Sequence, residues 1–137
     1  MAHDLYHNLV KEALIKDGWT VTHDPYAIPF GIHNLFVDLG AEKLLAAEKA
    51  GRPIAVEIKS FLSRSAVSDL ENAIGQFMLY RSLLQRRDPT RILYLAIPAP
   101  AFNSLFSTLL GQVAQEDFAL KFIVFDPDQE AIERWIE

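Results

Sequence analysis

Apolar residues recur at helical spacing in three segments of the chain, and this pattern predicts three amphipathic helices. The helices are expected over residues 5–17, 68–87 and 101–115. Gly18 follows the first segment and Pro89 follows the second, and each residue type is common just after a helix. Each helix is therefore expected to bury one apolar face.

Shorter runs of apolar or alternating residues predict the strands. They are expected over residues 19–23, 35–39, 54–60, 91–97, 120–125 and 131–136, the last as an edge strand. Two prolines and a glycine within residues 24–31 predict a loop. The resulting order, α-β-β-β-α-β-α-β-β, predicts one α/β (α+β layered) domain over residues 1–137, with a mixed β-sheet flanked by helices.

The stretch from residue 40 to residue 51 supports two interpretations. Its Ala, Glu, Lys and Leu residues have helical propensity. A turn-like sequence at residues 50–53 precedes the strong strand at residues 54–60, and this arrangement favours a hairpin from Lys43 to Ser60. The hairpin, with its first arm over residues 44–49, is the prediction adopted for this stretch.

The composition narrows the class of protein without deciding its function. The 137 residues include no cysteine, which excludes disulfides, thiolate metal sites and a thiol nucleophile. No apolar run is long enough to span a membrane and the first residues lack the pattern of a signal peptide, so a cytoplasmic location is expected. The net charge of −5 argues against a protein that coats nucleic acid through bulk positive charge.

The most informative stretch is the predicted strand that contains Glu57 and Lys59. Because alternate residues of a strand share a face, Ile54, Val56 and Ile58 are expected on one face and the two charged residues on the other. Charged side chains are rarely buried unless they are paired or bind a metal ion. The simpler alternative is an edge strand whose solvated face carries an ordinary Glu–Lys ion pair.

Asp38 ends the strand upstream of Glu57, and antiparallel pairing of this region would bring the two carboxylates together. Adjacent carboxylates repel each other unless a cation neutralises them. Carboxylate oxygens suit Mg²⁺ and Mn²⁺, so Asp38 and Glu57 are the candidate metal ligands. Lys59 would stabilise developing negative charge or orient a nucleophilic water. The alternative for Asp38 is an ordinary acid at a strand end.

The sequence Asp38…Glu57-Ile58-Lys59 resembles the Asp…(Asp/Glu)-x-Lys signature of the PD-(D/E)XK nuclease superfamily. The predicted order of elements resembles that of its members as well. Val37 stands where the name of the superfamily has proline. The resemblance implies a restriction-endonuclease-like core with a metal-dependent site for hydrolysis of DNA.

Further candidates for this site come from spacing and from the resemblance. The two signature acids are farther apart than in compact members of the superfamily, which leaves Glu42 and Glu48 as rival acids. The resemblance places Glu12 of the first helix near the metal, although a surface pair with Lys16 is the alternative. It also places Gln76, in the helix after the Glu-x-Lys strand, near the site. The alternative for Gln76 is an ordinary residue on a helix face.

A closer resemblance, to the XisH family of fdxN element excision controlling factors, covers nearly the whole chain. The similar segments are residues 7–8, 13–19, 38–42, 47–49, 55–61 and 75–77, and they include the words Leu-Ile-Lys-Asp-Gly-Trp and Val-Glu-Ile-Lys-Ser-Phe. This resemblance implies a role in programmed excision of a DNA element in cyanobacterial cells. It also implies two protein partners, a site-specific recombinase and a XisI-type companion, together with self-association as an oligomer.

Three functions follow from these features. The first is a Mg²⁺-dependent DNA endonuclease, and a single site in a chain of this length would then favour a symmetric dimer. The second is a catalytically silent accessory factor that binds DNA or the recombinase. The third is a scaffold that only pairs with the companion protein. The acidic charge favours the second and third, and it predicts weak DNA binding in the absence of a partner.

Basic and aromatic residues carry weaker indications. A basic cluster near the end of the second helix is expected either to contact DNA phosphates or to stabilise the helix end. Its members are Arg81, Arg86, Arg87 and Arg91. Four aromatic residues are expected in the core, namely Trp19, Phe30, Phe36 and Phe61.

Overall fold

The computed structural model describes residues 5–43 and 52–137, which form four helices and eight strands. The helices are α1 (His7–Lys16), α2 (Ala66–Arg87), α3 (Ala99–Leu105) and α4 (Leu109–Phe118). The strands are β1 (Thr20–His23), β2 (Tyr26–Phe30), β3 (His33–Val37), β4 (Leu39–Lys43), β5 (Arg52–Ile58), β6 (Ile92–Pro98), β7 (Phe122–Asp126) and β8 (Ala131–Ile136). None of the described helices is long and apolar enough to cross a membrane.

Six strands form one mixed sheet in the order β1-β4-β5-β6-β7-β8, and helices flank it. The β5–β6 and β6–β7 pairs are parallel, whereas β1–β4, β4–β5 and β7–β8 are antiparallel. The mixed sheet and the position of β8 at its edge confirm two predictions. Because β5 lies inside the sheet, the alternative of an edge strand for the Glu-x-Lys segment is wrong.

Both faces of the sheet are covered, and β5 contributes to both cores. Ile54, Val56 and Ile58 lie in a core that includes residues of α1. Ala55 lies in the other core, beneath α2, together with Phe77. The predicted alternation is confirmed. Since Glu57 shares a face with Ala55, its side chain lies on the α2 side of the sheet.

The predicted loop over residues 24–31 is wrong, because β2 occupies most of it. β2 pairs with β3 as a separate two-stranded sheet in which Pro29 lies opposite Asn34. A proline is tolerated there because the strand has a free edge that needs no N–H donor. The hairpin also leaves Phe30 and Phe36 exposed, so their assignment to the core is wrong. Trp19, by contrast, is buried as predicted.

The strand predicted over residues 35–39 is divided at Asp38 into β3 and β4. β4 pairs with β5 from Leu39 opposite Val56 to Lys43 opposite Arg52. A hairpin is therefore present, but its first arm begins at Leu39 instead of Lys43. The predicted arm over residues 44–49 lies outside the described residues.

The third predicted helix, over residues 101–115, is two helices, α3 and α4. The first ends at Leu105, and Thr108 caps the start of the second, because its hydroxyl accepts a hydrogen bond from the Gly111 N–H at 3.2 Å. A Cβ atom at Gly111 would come within 2.3 Å of the Leu105 carbonyl oxygen. Glycine therefore permits the close approach that the break requires.

Candidate functional site

The candidate site lies where β4 and β5 separate. Leu39 opposite Val56 is the last pair of their ladder at this end. Asp38 precedes that pair on one strand and Glu57 follows it on the other. The geometry of an antiparallel pair therefore places the two acids side by side at one edge of the sheet.

Each carboxylate accepts a hydrogen bond from a backbone N–H of the opposite segment. The Ile58 N–H donates to Asp38 Oδ2 at 2.8 Å, and the Asp38 N–H donates to Glu57 Oε1 at 3.2 Å. Each acid thus satisfies a donor that the end of the ladder leaves unpaired. Asp38 Oδ1 and Glu57 Oε2 accept no backbone hydrogen bond within the described ranges. The two carboxyl groups lie within hydrogen-bond reach of each other, and Glu57 Oε2 also faces the Lys59 ammonium group.

Glu57 is the buried member of the pair, with 6% of its surface exposed. Burial and, after it, the neighbouring Asp38 carboxylate raise the pKa of Glu57 to about 8, against the opposing effect of Lys59. Lys59 Nζ lies 3.5 Å from Glu57 Oε2, and its side chain is about one-quarter exposed. Two acids and one ammonium group therefore converge at a point where negative charge is poorly solvated.

α2 covers this point with a polar pair on one face. Gln76 Oε1 is buried and has no hydrogen-bond partner in the described part of the chain. Tyr80 lies one turn later on the same face. Burial raises the pKa of the Tyr80 phenol, and the Glu57 and Asp38 carboxylates raise it further. Tyr80 therefore lies close enough to both acids to interact with their charges.

The other sequence candidates lie elsewhere. Glu12 is exposed on α1, whose buried residues belong to the core on the opposite face of the sheet. Glu42 is exposed in β4, and Glu48 lies outside the described residues. Among residues 5–43 and 52–137, no group of three or more histidine or acidic side chains could hold a metal ion.

Sequence reasoning missed a cluster on α1 and at the end of β1. His7 Nε2 lies 2.7 Å from Asp24 Oδ1, and Lys11 Nζ lies 2.9 Å from Asp24 Oδ2. The hydrogen bond from Lys11 lowers the pKa of Asp24 against the opposing effect of burial, with a further contribution from His7. Since His23 pairs with Gly40, the cluster lies at the same edge of the sheet as Asp38. The spacing of four between His7 and Lys11 was its only signal.

The basic cluster near the end of α2 is largely occupied by contacts within the protein. Arg81 donates to the Phe118 carbonyl oxygen at 2.8 Å, and Arg86 donates to the Ser82 carbonyl oxygen at 3.1 Å. Arg91 is buried and donates to Asp88. These contacts favour the structural interpretation of the cluster over contact with DNA.

Comparison with known proteins places this geometry in a family. The model of the family described as "XisH protein" matches residues 1–133. The chain belongs to the XisH family. A XisH family protein from Nostoc punctiforme has a similar crystal structure, with a TM-score of 0.89 and 41% identity over 98% of this chain and 100% of that one.

A second crystal structure is that of an fdxN element excision controlling factor protein from Anabaena variabilis. Its TM-score is 0.87, and it is 40% identical over 98% of this chain and 100% of that one. No curated protein matches the chain. The family and its name are consistent with a role in the control of excision.

Proposed function

We propose that this XisH protein has a PD-(D/E)XK-type nuclease core and is a Mg²⁺-dependent DNA endonuclease that acts in the control of DNA excision. The observation that carries the proposal is the convergence of Asp38, Glu57 and Lys59 at the point where β4 and β5 separate. These are the residues that the Asp…Glu-x-Lys resemblance marks for hydrolysis of a phosphodiester bond.

The donor set fits a hard divalent cation. Mg²⁺ is commonly bound through one or two carboxylates and keeps several waters, so a group of three acids is not required. Asp38 Oδ1 and Glu57 Oε2 are the carboxylate oxygens that accept no backbone N–H, so they are the ones that would face a cation. The raised pKa of Glu57 shows that the pair carries more negative charge than its surroundings stabilise. Asp38 and Glu57 are therefore the residues that would hold Mg²⁺ or Mn²⁺.

When bound, such a cation supplies charge neutralisation at the scissile phosphate. The Lys59 ammonium group stabilises negative charge that develops on the phosphate oxygens. Gln76 Oε1, a buried acceptor, orients a water molecule for attack. Glu12 is exposed on α1 and makes no contact with the two acids among the described residues, so it has the weakest support among the candidates.

The family context extends the proposal to partners. An excision controlling factor of this family would act beside a site-specific recombinase and a XisI-type companion in the cytoplasm. The net charge of −5 and the engaged arginines support weak DNA binding by the protein alone. A chain with one site cuts one strand at a time, which supports a homodimer for double-strand cleavage.

Incubation of supercoiled plasmid with the protein and Mg²⁺ or Mn²⁺ tests the proposal. We expect the wild type to nick the plasmid and both Glu57→Ala and Lys59→Ala to lose at least about 100-fold of this activity. Glu71→Ala is the matched control, because Glu71 is exposed on α2 and has no ion-pair partner among the described residues. Equal activity in wild type and Glu57→Ala would refute the endonuclease assignment.

The second candidate is a catalytically silent accessory factor that binds DNA or a protein partner. It is favoured by the acidic charge and by the arginines that protein carbonyl and carboxylate groups already occupy. Under this alternative, wild type and Glu57→Ala would be equally inert toward plasmid, while binding to DNA or to a XisI-type partner would persist.

A further inference from the structure

A polar cleft adjoins the candidate site on the side of Lys59. It has a volume of about 210 Å³, equal to roughly seven water molecules in the liquid. Its lining consists of the five residues that follow β5 and of two residues in the first turns of α2. Lys59 belongs both to this lining and to the carboxylate site, since its Nζ lies 3.5 Å from Glu57 Oε2. The cleft therefore shares Lys59 with the place where the chemistry is proposed.

The free polar groups of the cleft are donors suited to an anion. Ser60 and Asn72 line it, and neither side chain forms a hydrogen bond with another protein group in the described ranges. Lys59 is the only charged donor in the lining, and Ser60 follows it directly in the chain. A hydroxyl, an amide and an ammonium group around one cleft can each donate to a phosphate oxygen.

The one acid in the lining is already occupied. Asp69 accepts the Ser63 hydroxyl at 2.7 Å and the Ser63 N–H at 3.3 Å. Ser65 accepts the Ser68 N–H at 3.1 Å and caps α2. These bonds hold the segment between β5 and α2 in place. The Asp69 carboxylate therefore shapes the cleft, and its charge is directed into the loop that it stabilises.

The backbone near Lys59 is held as firmly. The Lys59 N–H donates to the Ala96 carbonyl oxygen at 2.9 Å, which continues the β5–β6 ladder beyond the end of β5. Phe61 adopts a left-handed conformation with φ of 56°, an uncommon state for a residue other than glycine. Phe61 also packs against the core beneath α2. Ser60 therefore lies between a residue bonded to β6 and a residue packed on the core, which lowers the cost of ordering it on binding.

We propose that this cleft binds a phosphate of the nucleic-acid strand next to the scissile one, with Ser60 and Asn72 as donors and Lys59 shared between the two positions. The proposal rests on the proposed function, because it assigns the substrate contacts of the same site. It assigns to Ser60 and Asn72 a role in binding and none in the chemical step.

Binding of a fluorescent DNA duplex in EDTA tests the proposal, because cleavage then plays no part. Asn72→Asp places a negative charge in the cleft, and we expect binding to weaken about tenfold. Ser60→Ala removes one donor and should weaken binding about threefold. Gln85→Glu is the matched control. It makes the same change of charge on the same helix about 20 Å away, beyond the screening length at 0.15 M salt, and should leave binding unchanged.

Equal weakening by Asn72→Asp and Gln85→Glu, or no weakening by Asn72→Asp, would overturn the proposal. Inorganic phosphate at matched ionic strength distinguishes a free anion from a nucleic acid. If the cleft serves free phosphate, the protein will bind inorganic phosphate, and Asn72→Asp will not change its affinity for DNA. This result would also overturn the proposal. If the wild type nicks plasmid but Asn72→Asp binds DNA as well as the wild type does, only the cleft proposal fails. If Asn72→Asp loses DNA binding while the wild type nicks no plasmid, only the endonuclease proposal fails.

Discussion

Two regions of this protein contain buried charged groups, and the regions differ in the partners that surround these groups. At the start of β6, Arg91 donates to Asp88 at 2.8 Å and to the Ile54 carbonyl oxygen at 2.8 Å, and its guanidinium lies 4.4 Å from the centre of the Tyr26 ring. Tyr26 also donates to Asp88 at 2.8 Å. Every buried charge in this region therefore has a complementary partner.

At the end of β5, by contrast, two acids share one point. Although burial acts in the same direction at both places, hydrogen bonds from Arg91 and Tyr26 hold the pKa of Asp88 below its usual value. Burial and Asp38 instead raise the pKa of Glu57 to about 8. The first arrangement stabilises the fold, whereas in the second Lys59 is the one cation described beside two acids. Perturbed groups of the second kind are typical of functional sites.

The largest expected effect on stability concerns Arg91. Arg91→Met leaves Asp88 and the Ile54 carbonyl oxygen without their donor, and we expect unfolding free energy to fall by about 3 kcal/mol in urea denaturation. Glu57→Gln should leave the unfolding free energy at pH 7 unchanged or raise it, because it removes the cost of burying a group that is ionised in the unfolded chain. Similar losses in the two variants would contradict the distinction between the regions.

The next largest expected effect is the change of Tm with pH, measured in the absence of added metal ions. In the unfolded chain Glu57 loses its proton near pH 4.5, whereas the folded protein retains it to about pH 8. The contribution of Glu57 to stability is therefore present below pH 4.5 and is lost as the pH rises toward 8. We expect Tm to fall on the order of 5 °C between pH 6 and pH 9. The decline should be much shallower in Glu57→Gln, and an equally steep decline would exclude Glu57 as its source.

A smaller effect is expected at Gly40, which lies beneath the Tyr26 ring. A Cβ atom there would come within 3.0 Å of Tyr26 Cδ2 and 3.1 Å of His23 Cβ. Gly40→Ala should displace Tyr26 and cost about 1–2 kcal/mol in urea denaturation. Gly75→Ala is the control, because its Cβ atom would have nothing within 4 Å, and the added helical propensity should stabilise by about 0.5–1 kcal/mol. Equal effects would show that the contact with Tyr26 is unimportant.

The smallest effect on stability is expected at Lys11, the more exposed of the two side chains that contact Asp24. Lys11→Met removes an ion pair with Asp24 whose two side chains are partly in water. Its cost in thermal unfolding should be below about 1 kcal/mol, since exposed pairs contribute little. If Lys11→Met lowers the unfolding free energy as much as Arg91→Met does, the ion pair of Asp24 stabilises the fold as strongly as that of Asp88.

The elements that the sequence predicted correctly are those in which a single physical rule dominates. β5 and β6 are apolar on both faces because both faces are covered, and α2 carries an apolar stripe over its whole length. β2 was missed because Pro25 and Pro29 are ordinary signs of a loop. Only the free edge of its two-stranded sheet makes Pro29 acceptable.

The meeting of Asp38 and Glu57 followed from strand pairing, a local rule that the sequence carries. The contact between His7 and Asp24 could not be predicted in this way, because it depends on how α1 packs against the end of β1. The cleft beside Lys59 was equally hidden, since Asn72 enters it only through the position of α2. When packing between elements brings residues together, no periodic pattern in a single sequence predicts the contact.

The central claim is that Asp38 and Glu57 hold a divalent cation, and calorimetric titration with Mn²⁺ tests it most directly. We predict one site per chain in the wild type, binding at least tenfold weaker in Asp38→Asn and Glu57→Gln, and unchanged binding in the exposed control Glu71→Gln. No binding by the wild type, or equal binding by all four proteins, would contradict the claim.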